Sequence, residues 1–221
     1  MEKFLKIYIN PKENLTILRE LDWGFSKLLL QVILPFSLFS PIGYLIGFTV
    51  LKSNYIQGIN QFMDYLKDDP KADKGTIEYM NKILNMLTTD DFSKIFMFIG
   101  VVWMFELLRP VILNGIVFFF GRSFGSSITD QTITLRLTTF ALIPIWIAGI
   151  FNMVNSPVTT FIMFLASFYT YYLIFIGAEK ILGIPSENSK NFQFIIVVVI
   201  FSFIISGILG MIQTNIIQRV I

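Results

Sequence analysis

The sequence predicts an all-α fold: a polytopic transmembrane helical bundle of five spans, with an extramembrane helical hairpin after the first. Three observations carry that expectation. Five long apolar runs, at residues 28–51, 95–120, 137–154, 158–178 and 192–217, take up most of the 221 residues. Hydrophobic residues make up 54% of the chain and charged ones only 14%, against ~25% charged in an ordinary soluble domain. Inside the runs the only charges are Glu106 and Arg109. Four runs reach the ~20 residues needed to cross a ~30 Å hydrocarbon core, and the third falls just short.

The first 27 residues mix Lys3, Lys6, Lys12, Arg19 and Lys27 with Glu2, Glu13, Glu20 and Asp22. They hold no apolar core of a cleavable signal peptide, so insertion relies on the spans themselves. Asn10-Pro11-Lys12-Glu13 reads as a helix start, with Asn10 as N-cap, Pro11 in the first turn and Glu13 as the capping-box acid. Leu15, Leu18, Leu21 and Phe25 then fall near one stripe. This predicts an interfacial amphipathic helix within a cytosolic segment 1–27, with Trp23 at headgroup level. Residues 28–221 form the membrane domain.

The first run contains Pro35, Pro41, Gly43 and Gly47. Breakers persist in lipid only where neighbouring helices satisfy the freed backbone groups, so this span faces protein. In the soluble segment 52–94, Ile56, Ile59, Phe62, Met63 and Leu66 repeat at helical spacing, as do Ile77, Met80, Ile83, Leu84 and Leu87. Asp68-Asp69-Pro70-Lys71-Ala72-Asp73-Lys74-Gly75 is turn chemistry between them. The expectation is an inserted helical hairpin whose apolar stripes face each other or the bilayer surface. Its acidic turn lacks the spacing and closing Glu of a calcium loop. Asn155-Ser156-Pro157 is short enough to make the third and fourth spans antiparallel neighbours. Lys and Arg in the short connections place the N-terminus in the cytosol and the C-terminus outside the cell membrane.

Composition also excludes. A formal charge of +2 without basic runs argues against nucleic acid. The chain has no cysteine and no histidine, which removes disulfides, thiolate chemistry, the usual zinc and haem ligands, and Ser-His or Cys-His nucleophiles. No catalytic, cofactor-binding or metal-binding set is expected, and the protein reads as non-enzymatic.

The second half carries a recognisable order. Phe140-Ala141-Leu142-Ile143-Pro144 opens the third run, and Phe168-Tyr169-Thr170-Tyr171-Tyr172 lies in the fourth. Gly177, Leu182-Gly183-Ile184-Pro185 and Lys190 follow. With Asn10-Pro11 ahead of a Pro-rich first span, this order resembles the Yip (Ypt/Rab-interacting protein) domain, a five-span membrane family, in its bacterial-type form. The resemblance covers about residues 10–215 and implies the same bundle. Eukaryotic members carry an acidic Asp-Leu-x-Gly-Pro motif and meet prenylated Rab GTPases. Leu21-Asp22-Trp23-Gly24-Phe25 is a different motif, so that partner does not carry over.

The candidate site is intramembrane: Glu106, Arg109, Pro110, Asn114, Tyr169 and Tyr172. A lone charge at mid-membrane costs ~2.5–3.5 kcal/mol on insertion scales. Glu106 and Arg109 lie three residues apart on one helix face, where pairing offsets part of the cost. Pro110 lacks an N–H, frees the carbonyl of residue 106 and predicts a kink. In one reading the pair is a buried clamp satisfied by Asn114, Tyr169 and Tyr172, and in the other it lines a cavity for ions, protons or a lipid headgroup. The leading function is a membrane-organising or membrane-protein-binding scaffold. The alternative is a small transporter or channel subunit using the Glu106/Arg109 kink. Partners are the lipid bilayer and another membrane protein or a second copy.

Overall fold

A computed structural model describes residues 2–67 and 73–221, and among them the regular structure is entirely helical. Five helices are long and apolar enough to cross a membrane: Phe25–Thr49, Phe92–Ser123, Gln131–Met153, Pro157–Lys180 and Lys190–Val220. The third begins well before its apolar run. Thr134, Arg136, Thr138 and Thr139 are buried in it, and the polarity of Thr134 and Arg136 had cut the run short. The turn residues Asp68 and Asp69 lie outside the described residues.

The chain divides into two compact units, and each of the five spans contributes residues to both. One unit comprises Met1–Phe36, Leu107–Ile145 and Leu165–Ser206. Its N-terminal part departs from the expected single amphipathic helix. A helix Glu2–Ile9 is followed by the short pieces Pro11–Asn14 and Ile17–Glu20. Asn10 does sit at the N-cap, but its side chain makes no capping bond. Instead its carbonyl accepts from Asn14 Nδ2 at 2.9 Å. Leu15 and Leu18 are buried as the stripe predicts, while Phe25 is exposed.

The segment is held down by bonds to distant helices. Tyr8 donates its hydroxyl to the Phe140 carbonyl at 2.8 Å, and Arg136 Nε donates to the Trp23 carbonyl at 2.9 Å. Trp23, expected at headgroup level, packs with Phe4 and Phe140 at ring distances of 5.4 and 6.2 Å. Burial, reinforced by Tyr169, holds the Tyr8 phenol well above the ordinary tyrosine range, so it remains a donor.

In the same unit the first span opens with a π-turn at Leu29–Ile33, just before Pro35. A proline ring collides with the carbonyl four residues earlier, and a widened turn there relieves the clash without ending the helix. The fourth span closes at Gly183, which takes φ +66°. The Ile184 N–H returns to the Ala178 carbonyl at 2.9 Å, the left-handed stop that glycine makes inexpensive. Ser126 Oγ then donates to the Leu182 carbonyl at 2.7 Å, pinning the two connecting loops together.

The other unit comprises Ser37–Glu106, Trp146–Phe164 and Gly207–Ile221. Helices Lys52–Lys67 and Lys74–Thr88 form where the apolar period predicted them. Asp73 caps the second by accepting from the Thr76 N–H at 2.9 Å. Their stripes join one core: Tyr55, Ile59 and Met63 meet Ile83, Met86 and Leu87, together with Phe48, Phe98, Val102 and Ile217. Phe62, assigned to the stripe, is exposed, and the unforeseen Tyr55 takes an inward place. Phe48 packs edge-on against both Tyr55 and Phe98, at 4.9 and 5.0 Å.

Glycine permits the tightest contacts of this unit. A Cβ on Gly43 would lie 2.6 Å from the Gly149 carbonyl oxygen, and one on Gly149 would lie 2.8 Å from Ser40 Cβ. The first span and the end of the third therefore meet backbone to backbone, as small residues allow in membranes.

Candidate functional site

The buried carboxylate of Glu106 has a donor that the sequence did not reveal. Glu106 is 7% exposed, and its Oε2 accepts from Trp146 Nε1 at 3.1 Å. Trp146 is itself fully buried. Its indole N–H needs an acceptor once out of water, and a carboxylate needs donors, so each meets a requirement of the other. The third span supplies Trp146 and the second supplies Glu106. Two further polar bonds belong to the same unit: Trp103 Nε1 to Ser37 Oγ at 3.1 Å and Asn152 Nδ2 to Ser40 Oγ at 2.9 Å.

The remaining sequence candidates belong to the other compact unit. Pro110 is buried inside a helix that continues from Phe92 to Ser123 without interruption. Arg109 is half-buried. The Asn114 side-chain oxygen is buried without a hydrogen-bond partner, as are the hydroxyls of Thr134 and Thr139. Tyr169 donates to the carbonyl of Tyr8, tying the fourth span to the N-terminal helix. Tyr172 packs at a tilt against Tyr169, with ring centroids 5.8 Å apart, but is 41% exposed, so it is not a core residue. On a fourth span that is 33% buried along its apolar stretch, depth in the sequence did not mean depth in the protein.

Two residues outside the predicted set are the most consequential. A tryptophan in the middle of an apolar run, such as Trp146, signals a polar partner that has to be found. Arg136, just outside the third run, is 8% exposed, and its position at the edge of an apolar stretch hid its burial. No group of three or more acidic residues able to hold a metal ion occurs among the described residues, where histidine and cysteine are absent.

The order of elements, with a Pro-rich first span, a Tyr-rich fourth and a Gly-Ile-Pro turn before the fifth, finds its match among protein families. The family model for the Yip1 domain matches residues 5–208. The chain belongs to the Yip1 domain family. Neither the comparison with curated proteins nor that with solved structures gives a match. As a Yip1-domain protein this chain is a multi-span, all-helical membrane protein, with the lipid bilayer as its environment. The Yip1 match takes in the N-terminal helix almost from its start, consistent with that helix being bonded into the fold by Tyr8.

Proposed function

We propose that this Yip1-domain protein is a non-enzymatic scaffold of the cell membrane that holds another membrane protein, or a second copy, through its helices. The observation that supports this reading is the closed contact at Glu106. A carboxylate used for ion or proton passage needs access to water, whereas this one is buried and bonded to a buried indole. The pairing serves to lock the second span to the third at one register, a role for which buried polar contacts are suited. In the same reading residues 1–27 lie on the cytosolic side and the C-terminus lies outside.

Chemical crosslinking in native membranes, followed by purification of the full chain, tests the scaffold. The expected result is a crosslinked partner or dimer that survives Glu106→Gln, while reconstituted liposomes show no ion or proton flux. Flux that depends on Glu106, with no crosslinked species, would replace the scaffold by the transporter. For the orientation, single cysteines at Ser53 and Ile221 should react with an impermeant reagent in intact cells. One at Glu2 should not, and its labelling would reverse the assignment.

A further inference from the structure

Arg136 is a buried cation to which the fold offers only neutral acceptors. Nε donates to the Trp23 carbonyl at 2.9 Å and Nη1 to the Arg19 carbonyl at 3.4 Å. A guanidinium carries five N–H groups, so those two bonds leave three without a protein acceptor among the described residues. The carboxylates nearby are otherwise engaged or in water. Asp130 lies within electrostatic reach but is bonded to the backbone and side chain of Thr132, and Glu20 and Asp22 are exposed. Holding a guanidinium largely out of water with no carboxylate bonded to it is costly, and a planar fork whose remaining N–H groups are not sealed inside the protein matches a phosphate.

A second cation lies beside the same tryptophan. Lys27 Nζ sits 5.0 Å from the ring centroid of Trp23, the residue whose carbonyl Arg136 holds. Trp23 in turn packs with Phe4 and Phe140. Cations beside an aromatic cluster, in the opening turns of a span, form the pattern that anionic headgroups meet at a membrane interface. We propose that Arg136 and Lys27 bind a phosphate-bearing anion, the headgroup of an anionic lipid, whose glycerol and upper acyl carbons lie against Phe4 and Trp23. The proposal does not depend on the scaffold reading.

The test uses the full chain in nanodiscs of phosphatidylcholine alone or mixed with phosphatidylglycerol. Native mass spectrometry reads retained lipid, and thermal unfolding reads stability. Wild type should retain phosphatidylglycerol and unfold at higher temperature when it is present. Arg136→Gln should lose both effects. Because that change also removes the two carbonyl bonds, Lys27→Gln, which leaves them intact, carries the test independently and should weaken retention about fivefold. Equal retention by wild type, Lys27→Gln and a folded Arg136→Gln would overturn the site. Stabilisation by inorganic phosphate in detergent, without any response to phosphatidylglycerol, would overturn the lipid as its source.

Discussion

The third and fifth spans are built on opposite plans. Of the five spans the third is the least apolar and the fifth the most, yet 72% of the third's apolar stretch is buried and only 11% of the fifth's. In water the order would be reversed, because apolar surface drives burial there. In a bilayer the lipid-facing helix has to be apolar throughout, whereas a helix wrapped by protein can carry polar groups that its neighbours satisfy. The third span uses that freedom. Trp146 bonds Glu106, Arg136 bonds two carbonyls, Thr138 bonds the Thr134 carbonyl and the Ala141 carbonyl accepts from Thr170. The fifth span instead turns Ile200, Phe203, Ile204 and Ile208 outward. Hydropathy therefore ranks these helices by exposure to lipid, not by importance to the core.

The contrast can be broken most severely from the lipid side. Ile204→Lys puts a charge near the middle of the fifth span on a face without protein, at a cost of ~2.5–3.5 kcal/mol on insertion scales. The expected outcome is a marked loss of membrane-inserted protein in an insertion assay. Unchanged insertion would mean that this face is solvated or covered by a partner.

The next effect belongs to the third span. Gly149→Ala sets a methyl group 2.8 Å from Ser40 Cβ and 3.0 Å from its Cα. Backbone must shift, and overpacking of this kind costs ~1–3 kcal/mol. Thermal unfolding in detergent should show a clear drop, and an unchanged midpoint would deny the close approach of the first and third spans.

A smaller, pH-dependent effect sits at the third span's start. The Thr132 backbone N–H, with its hydroxyl second, holds the Asp130 carboxyl below the usual carboxylate range. A depressed folded pKa gives stability that is fully present above the unfolded carboxylate value and is lost as pH falls through the folded one. Stability should thus be level from neutral pH down to about 4 and decline below it. Asp130→Ala should remove part of that decline and cost ~1 kcal/mol at neutral pH, as N-cap losses do. The smallest change has the opposite sign. Gly207→Ala on the fifth span meets nothing within 4 Å, and the better helix former should leave stability level or raise it by up to ~1 kcal/mol.

The number of spans was legible because nothing else produces five such apolar runs in so short a chain. The helical hairpin was legible because two stripes repeat at helical spacing. The candidate site was legible only in part. Glu106 stood out as a charge in an apolar run, but its donor Trp146 looks like any other large apolar residue in a one-dimensional pattern. Arg136 was missed for a related reason: hydropathy assigns an arginine to the solvent side of a span's edge, while two backbone carbonyls can draw it inside. The N-terminal helix Glu2–Ile9 was missed because its charges concealed a short apolar face, in which Ile7 is fully buried. Tyr172 erred in the other direction, since a residue deep in a span can face outward while its ring leans on a neighbour.

The bonds that hold the N-terminal helix also set an order of assembly during synthesis. Tyr8 waits for Phe140, Trp23 waits for Arg136, and the Tyr8 carbonyl waits for Tyr169, partners 132, 113 and 161 residues downstream. At ~5–20 residues per second, the helix spends on the order of ten seconds without its docking site. In that interval its apolar face belongs to whatever surface is nearest, and the membrane being entered by the first span is close at hand. The segment is thus made well before the place it occupies exists. Any chaperone or insertion factor that acts on this chain has its longest opportunity there.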